Sequence, residues 1–122
     1  IEYARRCVSH AIDQGWTIVV GDNAKGVDQV VVQDLNQLGY QNVIVVGISA
    51  QPRNKGVAGG KYIRYGKNYT ERDQAMARAS NRGMFIWNGD KRTSPGTKQG
   101  ADYMRTHSDK TVHVMNFSRA SV

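Results

Sequence analysis

One loop near the end of the chain carries residues well suited to bind a phosphate group. The segment NGDKRTSPGTK, residues 88–98, follows an apolar run and precedes a helical pattern. Ser94 is placed to cap that helix, Pro95 suits its first position, and Gly96 lets a ligand approach the backbone. Thr97 adds a hydroxyl group beside the free N–H groups of the helix start. The loop predicts a phosphate or phosphoribosyl site, although a well-capped basic surface loop would have the same composition.

A second candidate anion site is the segment GDNAKGVD, residues 21–28. Gly21 ends an apolar run and Gly26 opens a helical pattern, so free N–H groups and the positive end of the helix dipole would face a ligand. Asp22 or Asn23 could instead cap the helix and do nothing more. The segment lacks the Gly-Lys-Ser/Thr of a P-loop. Ligand binding and helix capping are equally good interpretations of this loop.

Arg72 is the third feature, in the segment YTERDQAM, residues 69–76. It stands in the first turn of a predicted helix, where a positive charge opposes the helix dipole. A ligand or a neighbouring acid should therefore account for it, and Glu71 and Asp73 are the local acids.

Composition favours an anionic partner. The chain has 122 residues, which suits one compact domain over residues 1–122. Its net charge of +7 suits anionic ligands, although a solubilising basic surface is an equally good explanation. Tyrosines interleave with basic residues in the middle of the chain, as in contacts with a nucleotide or a single nucleic-acid strand; these residues are Lys61, Tyr62, Arg64, Tyr65, Lys67 and Tyr69. No apolar run reaches the roughly 20 residues of a membrane span, and Cys7 is the only cysteine. We predict a cytoplasmic protein without a metal site or cofactor.

Apolar spacing predicts alternating helices and strands. The predicted helices cover residues 2–14, 27–38, 70–80 and 96–107, and the predicted strands cover 16–20, 42–49, 84–87 and 111–117. Thr70 is the predicted N-cap of the third helix, and residues 50–69 show no clear period. This order predicts an α/β, three-layer, Rossmann-like domain with a mostly parallel sheet of four to five strands. Because such folds usually begin with a strand, we expect one before residue 1.

The longer connections all fall at one edge of the predicted sheet. The carboxyl ends of the first three strands lead into residues 21–28, 49–69 and 88–97, which are rich in glycine and polar residues. The connections at the opposite edge are short. Ligands of open parallel sheets bind at the carboxyl edge, so this asymmetry predicts where a site lies.

Together these motifs resemble the SLOG superfamily, the nucleotide-binding domains of LOG phosphoribohydrolases, DNA-processing protein A and the YspA/YpsA-like proteins. TIVVGDNAKGVDQVV, residues 17–31, looks like the strand and loop that usually read Gly-Gly-Ala-x-Gly-Ala-Asp. ERDQAM, residues 71–76, looks like Arg-Asn-x-x-Met, and FIWNGDKRTSPGTKQGADYM, residues 85–104, looks like the strand before Gly-Thr. The resemblance covers residues 16–117 and is strongest to the YspA-like branch.

The resemblance implies binding or sensing of a nucleotide-derived, phosphate-bearing ligand at the carboxyl edge of the sheet. The implied ligand-binding residues are Gly21, Asp22, Gly26, Asp28, Arg72, Gly89, Ser94, Gly96 and Thr97. Thr97 would bind phosphate with Arg72 as its countercharge, and Asp28 would bind a ribose hydroxyl or act as a structural cap. Related domains often form dimers, so a homodimer is expected.

Two alternatives follow from the same resemblance. The first is cleavage of the N-glycosidic bond of nucleoside monophosphates, with Arg72 as the candidate catalytic residue. Gly100 stands where the phosphoribohydrolases carry a glutamate, so this activity would need Asp28, Asp90 or Glu71 as a substitute acid. The second alternative is binding of single-stranded nucleic acid through the basic, tyrosine-rich residues 53–72.

Overall fold

The computed structural model describes the backbone of residues 2–87, 101–104 and 111–116 and the side chains of residues 4–83 and 101–104. The elements are α1 (Glu2–Asp13), β1 (Ile18–Gly21), α2 (Val27–Leu38), β2 (Val43–Gly47), β3 (Lys61–Arg64), α3 (Tyr69–Ala79), β4 (Arg82–Trp87) and β5 (Thr111–Asn116). Residues 101–104 are also helical. The paired strands of these ranges are all parallel. The predicted α/β class with parallel strands is therefore confirmed.

The chain divides into two units, Ile1–Arg72 and Asp73–Val122, and the division falls within α3. The first unit contains a three-stranded sheet in the order β1-β2-β3. Gly21 is level with Val46 across the first pair of strands, and Gly47 is level with Arg64 across the second. The three strands consequently end close to the same edge.

Two helices bury the apolar core of this unit. The spacing of Val31, Val32 and Leu35 puts their side chains on one stripe of α2, and all three are buried. This helix contacts β1 and also α1, where Ala4 and Val8 are buried. The helix ends at Gly39, whose φ of 68° is readily adopted only by glycine. The helical spacing in the sequence thus reflects a real buried face.

The segment without a clear period, residues 50–69, contains a strand that the sequence did not predict. β3 is short, and its residues Lys61, Ile63 and Arg64 are exposed, so it lacks the apolar run by which the other strands were found. The loop before it is tied to α2 through Asn36. The Nδ2 group of Asn36 donates to the Gly56 carbonyl over 2.9 Å, and its Oδ1 accepts from the Ala58 N–H over 2.9 Å.

The predicted N-cap of the third helix, Thr70, is wrong by two residues. α3 begins at Tyr69, because Asn68 Oδ1 accepts a 2.9 Å hydrogen bond from the Glu71 N–H. Glu71 in turn accepts from the Lys67 N–H over 3.0 Å. Asparagine caps helices better than threonine. The glutamate three residues later holds the N–H of the residue before the cap, whereas in a capping box it would hold the N–H of the cap itself.

The second unit contains a parallel pair, β4-β5, that runs from Arg82 opposite Thr111 to Trp87 opposite Asn116. Its described buried side chains are Ala77, Ala101 and Met104. Arg78 Nη1 donates to the Tyr103 hydroxyl over 3.1 Å. Within the part of the chain that the structure describes, no helix combines the length and apolarity that a bilayer crossing requires.

Candidate functional site

A buried aspartate marks the carboxyl end of β1. Asp22 is the first residue after this strand and its surface is fully buried. Its Oδ2 accepts the Arg53 N–H over 3.0 Å. Its Oδ1 accepts from Arg53 Nε (3.1 Å), Arg53 Nη2 (3.0 Å) and Arg72 Nη1 (2.9 Å). A buried carboxylate is stable only when it is paired and hydrogen-bonded, and here both oxygens are satisfied.

The two arginines reach this carboxylate from different parts of the chain. Arg53 lies on the loop between β2 and β3, and Arg72 lies in the first turn of α3. Both guanidinium groups also lie over the ring of Tyr69, at 4.0 Å and 4.8 Å from its centroid. Such cation–π contacts orient the charged groups. We call Asp22, Arg53, Tyr69 and Arg72 the Asp22 cluster.

The cluster keeps the carboxyl group of Asp22 ionised. Burial raises the pKa of Asp22, but the hydrogen bonds from Arg53 and the charges of Arg53 and Arg72 outweigh burial and lower the pKa below 3.8. Both guanidinium groups bind the Asp22 carboxylate, and the Asp28 carboxylate approaches Gly21 beside Arg72. The Arg53 side chain is 34% exposed, whereas that of Arg72 is 8% exposed. Arg53 is therefore the more accessible of the two guanidinium groups.

Two glycines make room for the cluster. A Cβ at Gly47 would lie 2.5 Å from Asp22 Oδ2 and even closer to the Tyr62 hydroxyl. A Cβ at Gly21 would meet the Asp28 carboxylate and lie 3.2 Å from Arg72 Nη2. Any side chain at either position would therefore displace charged or polar groups. The glycines act here by close approach rather than by an unusual backbone angle.

Tyr62 flanks the cluster from β3. Its hydroxyl donates to the Ser49 carbonyl over 2.6 Å. Burial raises the pKa of Tyr62, and the negative charge of Asp22 raises it further. The phenol therefore stays protonated at neutral pH and serves as a hydrogen-bond donor to the loop.

The start of α2 lies in the same segment of the chain. Gly26 is its N-cap, with a φ of 75° that favours glycine and no side-chain cap hydrogen bond. Asn23 Oδ1 accepts from the Lys25 N–H over 3.1 Å, and Asp28 Oδ2 accepts from the Asn23 N–H over 3.2 Å. Neither Asp22 nor Asn23 caps this helix, in contrast to the capping interpretation of the sequence.

The structure brings together several of the residues expected from the sequence. Asp28 and Arg72 both approach Gly21, and Asp22 pairs with Arg72. The acid that accounts for Arg72 is thus Asp22, while the local candidate Glu71 binds the Lys67 N–H. Other expected residues lie outside the described part of the chain; these are Gly89, Asp90, Ser94, Gly96, Thr97 and Gly100.

Sequence reasoning missed two members of the cluster as site residues. Arg53 was included only in the basic, tyrosine-rich range 53–72, and Tyr69 was only one of three interleaved tyrosines. The available signal was an aspartate directly after an apolar strand, because an acid buried at such a position needs a cationic partner. Nothing in the sequence indicated which of the many basic residues would reach it.

Among the residues with described side chains, no group of three or more His, Cys, Asp or Glu is close enough to hold a metal ion. Comparisons with protein-family models, with curated proteins and with solved structures found no match. The site and the fold are therefore the basis for any functional conclusion.

Proposed function

We propose that this chain binds or senses a nucleotide-derived, phosphate-bearing ligand at the carboxyl ends of β1 and β2. In this proposal the domain is Rossmann-like and of the SLOG type, with one sheet of four to five strands, and it acts in the cytoplasm. Gly89, Ser94, Gly96 and Thr97 remain predicted ligand-binding residues. The proposal is for a binding domain rather than a hydrolase.

The observation that carries this proposal is the pairing of Arg53 and Arg72 on the single carboxylate of Asp22. Arg53 thereby presents a partly exposed guanidinium group at the edge of the sheet where open α/β folds bind ligands. The cation is held in place by hydrogen bonds and by the ring of Tyr69. A rigid cation of this kind is well suited to recognise phosphate.

The start of α2 supports the same conclusion. Its N-cap residue, Gly26, supplies no side-chain cap and leaves the backbone without a Cβ at that point. Free N–H groups at a helix start stabilise a bound anion. Asp28 holds the preceding loop through the Asn23 N–H, which fits the structural role considered for it. A ligand phosphate would add to a loop that is already ordered by the protein's own contacts.

Single-stranded nucleic acid is the second candidate ligand. It is favoured by the exposed residues that follow one another on and after β3, namely Lys61, Arg64, Tyr65 and Lys67. Tyr62 and Tyr69 are less suited to stacking on bases, because the hydroxyl of the first and the ring of the second already contact the protein. Tyr65, at 48% exposure, is the most exposed of the three tyrosines.

A thermal-shift panel tests both candidates. The panel contains AMP, ADP-ribose, NAD, a cyclic nucleotide and a short single-stranded oligonucleotide, each at two salt concentrations. A ligand at 100 times its Kd stabilises the protein by roughly 2.7 kcal/mol, which raises the Tm of a domain of this size by several degrees. We expect a shift with a mononucleotide that changes little with salt. A shift with the oligonucleotide alone, lost at high salt, would favour nucleic acid instead.

Turnover is checked on the same samples. Incubation with nucleoside monophosphates, followed by chromatography for the free base, distinguishes a hydrolase from a binding domain. We expect no free base. Release of free base would replace the binding proposal with N-glycosidic cleavage. A lack of any thermal shift across the panel would contradict both nucleotide binding and single-stranded nucleic-acid binding.

A further inference from the structure

Arg53 is the member of the Asp22 cluster with an accessible guanidinium edge. An arginine carries five N–H donors in a planar fork. The edge formed by Nε and Nη2 binds Asp22, because both atoms donate to its Oδ1. Within the described residues no acceptor is bound to Nη1, and the side chain is 34% exposed. The donors of the outer edge can therefore reach a ligand.

This guanidinium is held in position by more than one contact. The Arg53 N–H donates to Asp22 Oδ2, so the backbone and the side chain of this residue bind the same carboxylate. The ring of Tyr69 lies 4.0 Å from the guanidinium carbon. The next residue, Asn54, donates from Nδ2 to the Asn23 carbonyl over 3.3 Å. A side chain that is ordered beforehand loses little entropy when it binds a ligand.

We propose that Arg53 binds the ligand phosphate through its outer edge and makes the site selective for a phosphomonoester. This inference rests on the proposed function. A terminal phosphate carries a charge of about −1.5 to −2 at neutral pH, whereas each phosphate of a diester or of a dinucleotide bridge carries a single negative charge. The larger charge gains more from the positive charge of the Arg53 guanidinium group. Asp22 is a positioning residue here, because it orients Arg53 and does not itself contact the ligand.

Titration calorimetry with AMP, adenosine and NAD tests the proposal on the wild-type chain, Arg53→Lys and Arg5→Lys. Lysine keeps the charge but loses the planar fork. Arg5 is the matched control, since its Nε lies 3.4 Å from Asp34 Oδ2, an acid outside the Asp22 cluster. We expect wild type to bind AMP at least about tenfold more tightly than adenosine or NAD. Arg53→Lys should lose about tenfold or more in affinity for AMP, with no change for adenosine, and Arg5→Lys should match wild type.

The outcomes separate this inference from the proposed function. Equal binding of AMP by wild type and Arg53→Lys overturns the role of Arg53 and leaves nucleotide binding intact. Binding of NAD without AMP overturns the selectivity in the same way. If wild type binds none of these compounds or the other panel nucleotides, the proposed function fails and this inference fails with it. The Tm of each variant without ligand shows whether it is folded, and Arg53→Gln replaces Arg53→Lys if the latter is not.

Discussion

Asp22 and Arg72 are 50 positions apart in the chain, yet Arg72 Nη1 donates to Asp22 Oδ1 over 2.9 Å and both residues are buried. The contact joins the end of β1 to the first turn of α3. It explains why a cation stands at a helix start, where the dipole disfavours it. The carboxylate of Asp22 compensates for that cost and also holds Arg53.

Asp22→Asn should destabilise the protein strongly. Asparagine has the same shape but no charge, so the buried Arg72 would lose its countercharge. Removal of one partner of a buried pair typically costs about 3 to 5 kcal/mol; we expect about 3 kcal/mol, because Arg53 is partly exposed. Urea denaturation measures the loss. The control Asp34→Asn breaks the more exposed pair with Arg5 and should cost less than about 1 kcal/mol. Equal losses in the two variants would contradict the importance of the buried cluster.

Acid should destabilise the wild-type chain partly through Asp22. The pKa of this carboxyl group in the folded protein lies below 3.8, so between the folded and unfolded values the unfolded chain binds more protons. The contribution of Asp22 to stability is complete above the pKa of the unfolded state and is lost as the pH falls through the pKa of the folded state. Urea unfolding of wild type and Asp22→Asn, measured from about pH 6 to about pH 2, isolates this contribution. The difference between the two proteins should shrink as the pH falls, and a constant difference would show that the pKa is not lowered.

Gly47→Ala should destabilise the protein because the new methyl group would meet Asp22 and Tyr62. Overpacking of this kind typically costs about 1 to 3 kcal/mol. Tyr62→Phe removes the hydroxyl that the methyl group would contact. The double variant should therefore lose less free energy of unfolding than the sum of the single variants, as measured in a double-mutant cycle. Strict additivity would mean that the new methyl group does not contact the Tyr62 hydroxyl.

Asn36→Ala should loosen the loop before β3 while leaving the core intact. Both side-chain hydrogen bonds of Asn36, to the Gly56 carbonyl and from the Ala58 N–H, would be lost. We expect a loss of about 1 to 2 kcal/mol and faster hydrogen exchange at the Ala58 amide. Gln37→Ala is the control, as an exposed helix neighbour of the same type. If the Ala58 amide exchanges at the same rate in both variants, the loop is held by other contacts.

Regular elements were predictable where burial imposes a period. α2 was predicted with its observed bounds, because its apolar spacing and the glycines at both ends point to the same helix. β1 and β2 were found from their valine-rich runs, within two residues at each end. β3 was not found, since an exposed strand of four residues has neither an apolar run nor an alternating pattern.

For the candidate site, the sequence by itself determined which edge of the sheet carries the polar and glycine-rich loops, and it singled out Gly21, Asp22 and Arg72. Both results follow from local information, namely residue type and the order of elements along the chain. Only the tertiary structure decided that Asp22 pairs with Arg72 and Arg53, that Tyr69 lies against both arginines, and that Gly47 must lack a side chain. These contacts join positions up to 50 residues apart. Their choice depends on which of many similar basic residues the fold brings within a few ångströms of one buried carboxylate.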